Sequence, residues 1–448
     1  MRKLFHRQCS LFSQWPNHKF TAGLKSVSKV LNDDPEMLNW VQSDLLNGRN
    51  PKAVGAQGMT AEQVLRSAII KQMNEWTYRE LAIQCADSEM TRAFVGLDYD
   101  ETYSHSCLQA NIRRISPETW TRINEVIIRY AADKKIESGQ TVRMDATVVE
   151  SNIHYPTDSR LLLDCLKVIE REFIKIRKKW PNSGIYFTGS RKDAKALVIK
   201  IADSKNADAR KPLYRKLIKM SRKVARRLDE SLQKLETAAP RLQDKLSTNI
   251  ERLRNITSLF PQVINQADQR VLKGKKLPPE DKIVSIFEPH TDIIKKGQRE
   301  VQFGHKVFLT AGESQLVLDC RIEDGNPSDT ALFMDLLEYQ KKLYGKAPRQ
   351  TSADGGFASQ VNVEKAKEIG VKDVCFSKPC GLKIEEMVKS RWVFEKLRNF
   401  RAGIEGIISV LKRAFGMAKA MWSGRRGFHS YVKSAVVAYN LATIARLS

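Results

Sequence analysis

Apolar and polar positions change their period several times along this chain, and each change marks a different kind of element. In "TAEQVLRSAIIKQMNEWTYRELAIQCADSEMTRAFVGLD" the apolar residues Val64, Leu65, Ala68 and Ile69 recur at helical spacing. Thr60 precedes them with Gln63 three residues on, the signature of a capping box. A second helix is expected near Thr77. The stretch "HSCLQANIRRISPETWTRINEVIIRYAADKK" predicts a third helix that carries Arg113 and Arg114 and continues past Pro117 as a new one. Short basic helices with polar turns fit a helix-turn-helix DNA-binding unit, and equally a plain helical packing domain. Before about residue 58 the pattern is mixed and closes in the loop-like "NGRNPKAVGAQGMT".

The period falls to two in "TVRMDATVVESNIHYPTDS", residues 141–159, where Val142, Met144, Ala146 and Val148 alternate as in a half-buried strand. Asp145 interrupts that run. Aspartate is a poor strand former and costly to bury unpaired, so its presence calls for a reason. Residues 159–280 return to long amphipathic helices dense in Lys and Arg. Strand character resumes with "HKVFLTAG" and "SQLVLDCRIED", which "GES" separates as a hairpin. Next come a helix "ALFMDLLEYQKKLYG", the segment "RQTSADGGFAS", a helix near "VNVEKAKEIG" and a strand "KDVCFSK". A helical tail runs from about residue 386 to the end.

That order predicts a mixed α+β chain. Its RNase H-like core is interrupted after the first strand by a long helical insertion and preceded by an all-helical segment. The expected divisions are a helical DNA-binding domain at 1–135, the first core strand at 136–158, a basic helical insertion at 159–300, and the remaining core with C-terminal helices at 301–448.

Composition sharpens the picture. The 448 residues exceed what one compact core holds, and 76 Lys and Arg against 51 Asp and Glu leave a net charge of +25. A polyanion is the natural partner. Seven scattered cysteines without a CxxC pair fit a reducing compartment rather than a disulfide or zinc framework. The seven histidines show no HExxH spacing, and no GxxxxGK[ST] signals a nucleotide. The basic start "MRKLFHRQCS" lacks the apolar run of a signal peptide, and no membrane span is visible. A soluble protein of a reducing cytoplasm is expected.

In an RNase H-like order the first strand carries an Asp, the fourth strand ends in another, and a late helix adds an acid. The candidates are Asp145, Asp354 in "SADGGF" and Glu405 in "FRAGIEGIISVLKRAFG". Clustered carboxylates suit phosphodiester chemistry because hard oxygen ligands hold Mg²⁺, and a metal pair about 3.5–4 Å apart can bind both attacking and leaving oxygens. Each acid also has a plainer role: a bonded strand residue, an Asp-Gly turn, or an i−4 pair of Glu405 with Arg401. His154 and Tyr155, before Pro156, either reach DNA or form an ordinary loop.

The chain resembles bacterial insertion-sequence transposases of the DDE type, most closely the ISNCY-like group. The resemblance rests on "LRSAIIKQMNEWTYRELAIQCADS", "MDATVVESNIHYPTDSRLL", "FGHKVFL", "DGNPSD", "ADGGFAS" and "YNLATIARL". Related families place Tyr, two residues, Arg, three residues, Glu, six residues, Lys around the third acid. Here Arg401, Glu405 and Lys412 match, and Arg398 stands where Tyr is expected. All four share one helix face.

The resemblance implies Asp145, Asp354 and Glu405 as catalytic metal ligands for Mg²⁺, with Mn²⁺ as a substitute. It implies Arg398, Arg401 and Lys412, with Arg113 and Arg114, as DNA contacts. It further implies binding to terminal inverted repeats, hydrolysis at the element ends, transfer of the 3′-OH to target DNA, and a homodimer or higher oligomer in the synapse. Two alternatives stay open: an RNase H-like nuclease without strand transfer, and a non-catalytic DNA-binding relic, against which the presence of all three acids argues.

Overall fold

The capping box expected at Thr60 is formed, since Thr60 Oγ1 accepts from the Gln63 N–H at 3.1 Å and Gln63 Oε1 accepts from the Thr60 N–H at 3.0 Å. The computed structural model describes residues 19–47, 58–98, 100–182, 190–238, 240–295 and 300–447. Its N-terminal helices are α1 (Lys19–Asp33), α2 (Glu36–Leu46), α3 (Ala61–Met73), α4 (Tyr78–Asp87), α5 (Glu89–Val95), α6 (His105–Ile112) and α7 (Pro117–Asp133). A second capping box, Thr77 with Glu80, opens α4. The helix expected to carry Arg113 and Arg114 instead stops at Ile112. Both arginines lie in the following turn, because Ser116 caps the next helix and Pro117 occupies its first turn.

Basic residues in these helices also serve the fold. Buried Arg66 donates to Glu62, Ser28, Asn32 and the Phe94 carbonyl. Lys71 is buried over the Tyr78 ring, and burial pushes its ammonium down to about 8.

The chain divides into two compact units, Met1–Asn152 with Gly304–Ser448, and Ile153–Phe303. The first unit begins its sheet with β1 (Thr141–Ser151). The strand was expected to be half-buried, yet both of its faces are covered, and only Asp145 and Glu150 are partly open. It lies centrally, with a neighbour along each edge, so even the polar Arg143 and Thr147 are buried.

The second unit is helical. It contains α8 (Asp158–Lys179), α9 (Ser190–Asp203), α10 (Ala207–Glu236), α11 (Pro240–Ala267) and a short strand β2 (Asp292–Ile294). Leu217, Ile218, Val224 and Leu228 of α10 pack with Leu166, Phe173, Leu253 and Phe260 in its own core. The opposite face of α10 is cationic and exposed.

The sheet continues with β3 (Gln302–Ala311), β4 (Val317–Glu323), α12 (Asp329–Tyr344), β5 (Gln350–Ala353), α13 (Gln360–Glu368) and β6 (Asp373–Phe376). β1 pairs antiparallel with β3 and parallel with β5; β3 pairs antiparallel with β4, and β5 parallel with β6. The resulting order, β4-β3-β1-β5-β6, is a mixed sheet of the RNase H-like kind that the sequence predicts. The hairpin is clamped from afar: Asn440 Oδ1 accepts from the Val317 N–H and its Nδ2 donates to the Val317 carbonyl, both at 2.8 Å.

The tail is broken into α14 (Ile384–Met387), α15 (Arg391–Ala414), the short strand β7 (Lys419–Ala420) and α16 (Arg425–Leu447). Gly416 ends α15 with φ of 70°, a left-handed geometry that favours glycine. α15 lies against β1, β5 and β6, while α16 packs on α1, α3 and α7. Sheet and N-terminal helices thereby share one continuous core, in which Trp120, Phe308 and Tyr439 are among the largest fully buried side chains.

Candidate active site

Strand register brings the first two acids together. Met144 of β1 lies opposite Ala353 of β5 in the parallel ladder, so the residues that follow, Asp145 and Asp354, occupy equivalent positions on neighbouring strands. Asp145 Oδ1 accepts from the Ala146 N–H at 2.7 Å, and Oδ2 accepts from Arg401 Nη2 at 2.7 Å. Arg401 Nη2 is 3.7 Å from Asp354 Oδ1, and its Nη1 donates to Glu405 Oε1 at 2.7 Å. Three carboxylates from β1, the end of β5 and α15 therefore converge on one guanidinium.

The cluster is graded in exposure. The side chains of Asp145 and Arg401 are 14% and 13% exposed, Asp354 is 42% and Glu405 65%, so the cluster opens to solvent on the Glu405 side. Burial pushes the Asp354 carboxyl up, but other effects outweigh it. A hydrogen bond from the Ser377 hydroxyl at 2.9 Å, another from the Gly355 N–H, and the nearby Arg401 and Lys378 charges hold it below the usual carboxylate range.

The helix bearing Arg401 and Glu405 is held to the sheet by a row of side-chain donors. Arg143 Nη1 donates to the Phe400 carbonyl at 3.0 Å, Ser352 Oγ to Leu397 at 2.8 Å, and Cys375 Sγ to Phe394 at 3.6 Å. One donor comes from each of β1, β5 and β6, and the acceptors recur every three residues along one side of α15. The Arg143 guanidinium also lies 4.5 Å from the Phe400 ring centroid. Gly403 permits this approach, because a Cβ there would come within 2.2 Å of Arg143 Nη1.

The other acids of the tail lie outside the cluster. Glu395 pairs with Arg391 at 3.8 Å and Glu386 with Lys383 at 3.9 Å. Arg398 is exposed and Lys412 half-buried on the continuous helix α15. Arg113 donates to the Ser423 carbonyl and hydroxyl, both at 3.0 Å, and Arg114 to the Asn47 carbonyl at 2.5 Å. Both of these guanidinium groups are occupied inside the chain. In the helical unit His154 pairs with Asp164 at 3.2 Å, while Tyr155 is 70% exposed.

Sequence reasoning missed Ser377, which orients Asp354, and the three donors that seat α15. It also missed Lys306, which ties "FGHKVFL" to "DGNPSD" by pairing with Asp329 at 2.5 Å and donating to the Pro327 carbonyl at 2.9 Å. The only local signal for the seating was a glycine, Gly403, in the interior of an apolar helix pattern.

Among the described residues no three His, Cys, Asp or Glu side chains stand together as a ready metal cage. The Arg401 guanidinium lies between the carboxylates. The donor set, three carboxylates with one side facing solvent, fits a hard divalent cation in its chemistry.

Residues 282–441 match the family described as a transposase DDE domain. The match takes in Asp354, Arg401 and Glu405 and begins beyond Asp145. No curated protein and no solved structure matches the chain. Over these residues the chain is similar to a transposase DDE domain, a likeness that supports a transposase function. Among the described residues no helix is long and apolar enough to cross a membrane.

Proposed function

We propose that this protein cuts DNA at the ends of its own insertion sequence and joins the freed 3′-OH to target DNA, with Asp145, Asp354 and Glu405 as the ligands of divalent metal. The observation that carries this reading is the convergence of these three acids, from two neighbouring strands and one helix, on Arg401. Bound Mg²⁺, or Mn²⁺ in its place, would supply Lewis-acid polarisation of the scissile phosphodiester.

The chain's own residues divide the remaining work. Ser377 and the Gly355 N–H favour ionised Asp354, so it offers anionic oxygen at neutral pH. Arg398 and Lys412 share the helix face of Glu405 and would hold phosphates of the substrate strand. The helices before residue 136 would grip the terminal inverted repeats, and the basic segment 159–300 would add phosphate contacts. A second copy of the chain would hold the other end of the element.

The test is Asp354→Asn on a duplex carrying the element's terminal repeat. Loss of end cleavage with binding retained supports the assignment, whereas cleavage at the parental rate in Mg²⁺ removes it. Strand transfer from pre-cleaved ends separates this reading from a nuclease on the same core, which would cut without joining.

A further inference from the structure

Arg401 has a role beyond phosphate contact. Its guanidinium bonds Asp145 and Glu405 at 2.7 Å each and stands 3.7 Å from Asp354, so it occupies the point toward which all three acids are directed. The side chain is 13% exposed, too enclosed to be an ordinary surface ion pair. Its Nε is buried without a hydrogen-bond partner, a cost the present arrangement leaves unrelieved. Two of its three carboxylate partners come from other elements, so the contact is more than an i to i+4 helix pair.

Resting on the metal-ligand reading of these acids, we propose that Arg401 is a positioning residue that competes with divalent metal for its ligands. A guanidinium among three carboxylates offsets their mutual repulsion and keeps them gathered. The same oxygens are those a hard cation requires, so cation and guanidinium exclude each other from them. Metal capture must displace Arg401, and a phosphate held beside the site offers the displaced fork a new bidentate partner. Capture of metal is thereby coupled to the presence of the DNA strand, which restrains the carboxylates from loading metal in its absence. By linkage the coupling is reciprocal: DNA tightens metal binding, and metal tightens DNA binding.

The full-length protein without DNA is titrated with Mn²⁺, and free Mn²⁺ is followed by electron paramagnetic resonance, for the parent, Arg401→Gln, Arg401→Lys and Asp354→Asn. Arg401→Gln removes the competing charge and is expected to bind Mn²⁺ at least about tenfold more tightly than the parent. Arg401→Lys keeps a cation without the planar fork and should fall between the two. It also carries the comparison should the glutamine variant lose its melting transition. Adding terminal-repeat duplex should tighten Mn²⁺ binding by the parent and change the Arg401→Gln value little.

If the parent binds Mn²⁺ in a manner that Asp354→Asn abolishes, yet Arg401→Gln and Arg401→Lys bind equally or more weakly, the competition is overturned while the ligand assignment stands. If no Asp354-dependent Mn²⁺ binding appears in any form, with or without duplex, both fall.

Discussion

Arg401 donates from Nη2 to Oδ2 of Asp145 across 2.7 Å, joining a helix near the end of the chain to a strand 256 residues earlier. This bond sets the geometry from which the roles of the individual acids can be tested, because α15 brings its own acid, Glu405, to the same guanidinium.

Ser377 should matter to chemistry more than to folding. Its hydroxyl donates to Asp354 Oδ1 at 2.9 Å and helps keep that carboxylate ionised. Partners one step behind a metal ligand typically contribute about 10–100-fold in activity or metal affinity. Ser377→Ala is expected to slow end cleavage by that amount, with Asp354→Asn falling further. Equal rates for parent and Ser377→Ala in a single-turnover cleavage assay would contradict the assignment.

Glu405 is distinguished from its neighbours by contact. It alone among Glu386, Glu395 and Glu405 shares a cation with Asp145, whereas Glu386 and Glu395 pair locally with Lys383 and Arg391. Glu405→Gln should remove both cleavage and strand transfer, while Glu395→Gln and the double change of Glu386 with its α14 neighbour Glu385 retain at least part of both. Normal cutting by Glu405→Gln, with one of the others inactive, would mean that a different acid completes the site.

The seating of α15 predicts a different signature. Gly403→Ala places a methyl within 2.2 Å of Arg143 Nη1, which cannot move freely because it is bonded to the Phe400 carbonyl. Overpacking of this kind costs about 1–3 kcal/mol. The variant should lose thermal stability by that amount. It should also lose cleavage disproportionately to DNA binding, since the displaced helix carries both Arg401 and Glu405. Restoring space with Arg143→Ala in the Gly403→Ala background should recover part of the stability, and a double variant no more stable than the single one would refute the contact.

His429 gives the fold an acid sensitivity. Burial, with the Lys433, His305 and Arg425 charges and against the partial relief of Asp324, pushes its imidazole down to about 4. The folded chain therefore binds this proton less readily than the unfolded chain, and stability drains away as pH falls from about 6.5 toward about 4. Between pH 7 and pH 5 the loss is of order 1–2 kcal/mol. His429→Phe should show a correspondingly smaller drop in melting temperature over that interval, and matching drops in parent and variant would exclude the effect.

How far the sequence carried this reading depends on the range of each interaction. Asp145 was legible because an acid inside an alternating apolar run contradicts its surroundings, and Glu405 because helical spacing groups it with Arg401 and Lys412 on one face. The meeting of Asp145 with Asp354 follows from strand register across 200 residues, which periodicity does not encode. Arg143, Ser352 and Cys375 were invisible as a set, since their common role is to reach carbonyls of a helix that lies far along the chain. The burial of β1 on both faces escaped for a related reason. Arg143 and Thr147 look like solvent-side residues, yet both are buried, Arg143 against Phe400 of α15. The ends of the tail helices were obscured because α15 and α16 are both long and amphipathic, and the break is marked only by the left-handed Gly416 and Gly424.

The helical unit offers the last test, through the charge of α10. Arg215, Lys219, Arg222 and Arg226 recur at intervals of four, three and four, so they form one exposed stripe about 16 Å long, opposite the face that buries Leu217, Val224 and Leu228. Arg222 has Asp268 at 3.5 Å, which partly neutralises it; Arg215, Lys219 and Arg226 are the cations to change. Duplex DNA carries one phosphate charge per about 1.7 Å, so a stripe of this length can meet several. If it does, changing these three residues to Gln should make the plot of log affinity against log salt shallower by roughly 2–3, because each phosphate contact contributes about 0.9 to the slope. The core beneath is untouched, so the melting temperature should hold. An unchanged slope with reduced affinity would place the loss elsewhere, and an unchanged slope with unchanged affinity would leave α10 as a solvated face that packs the helical unit and nothing more.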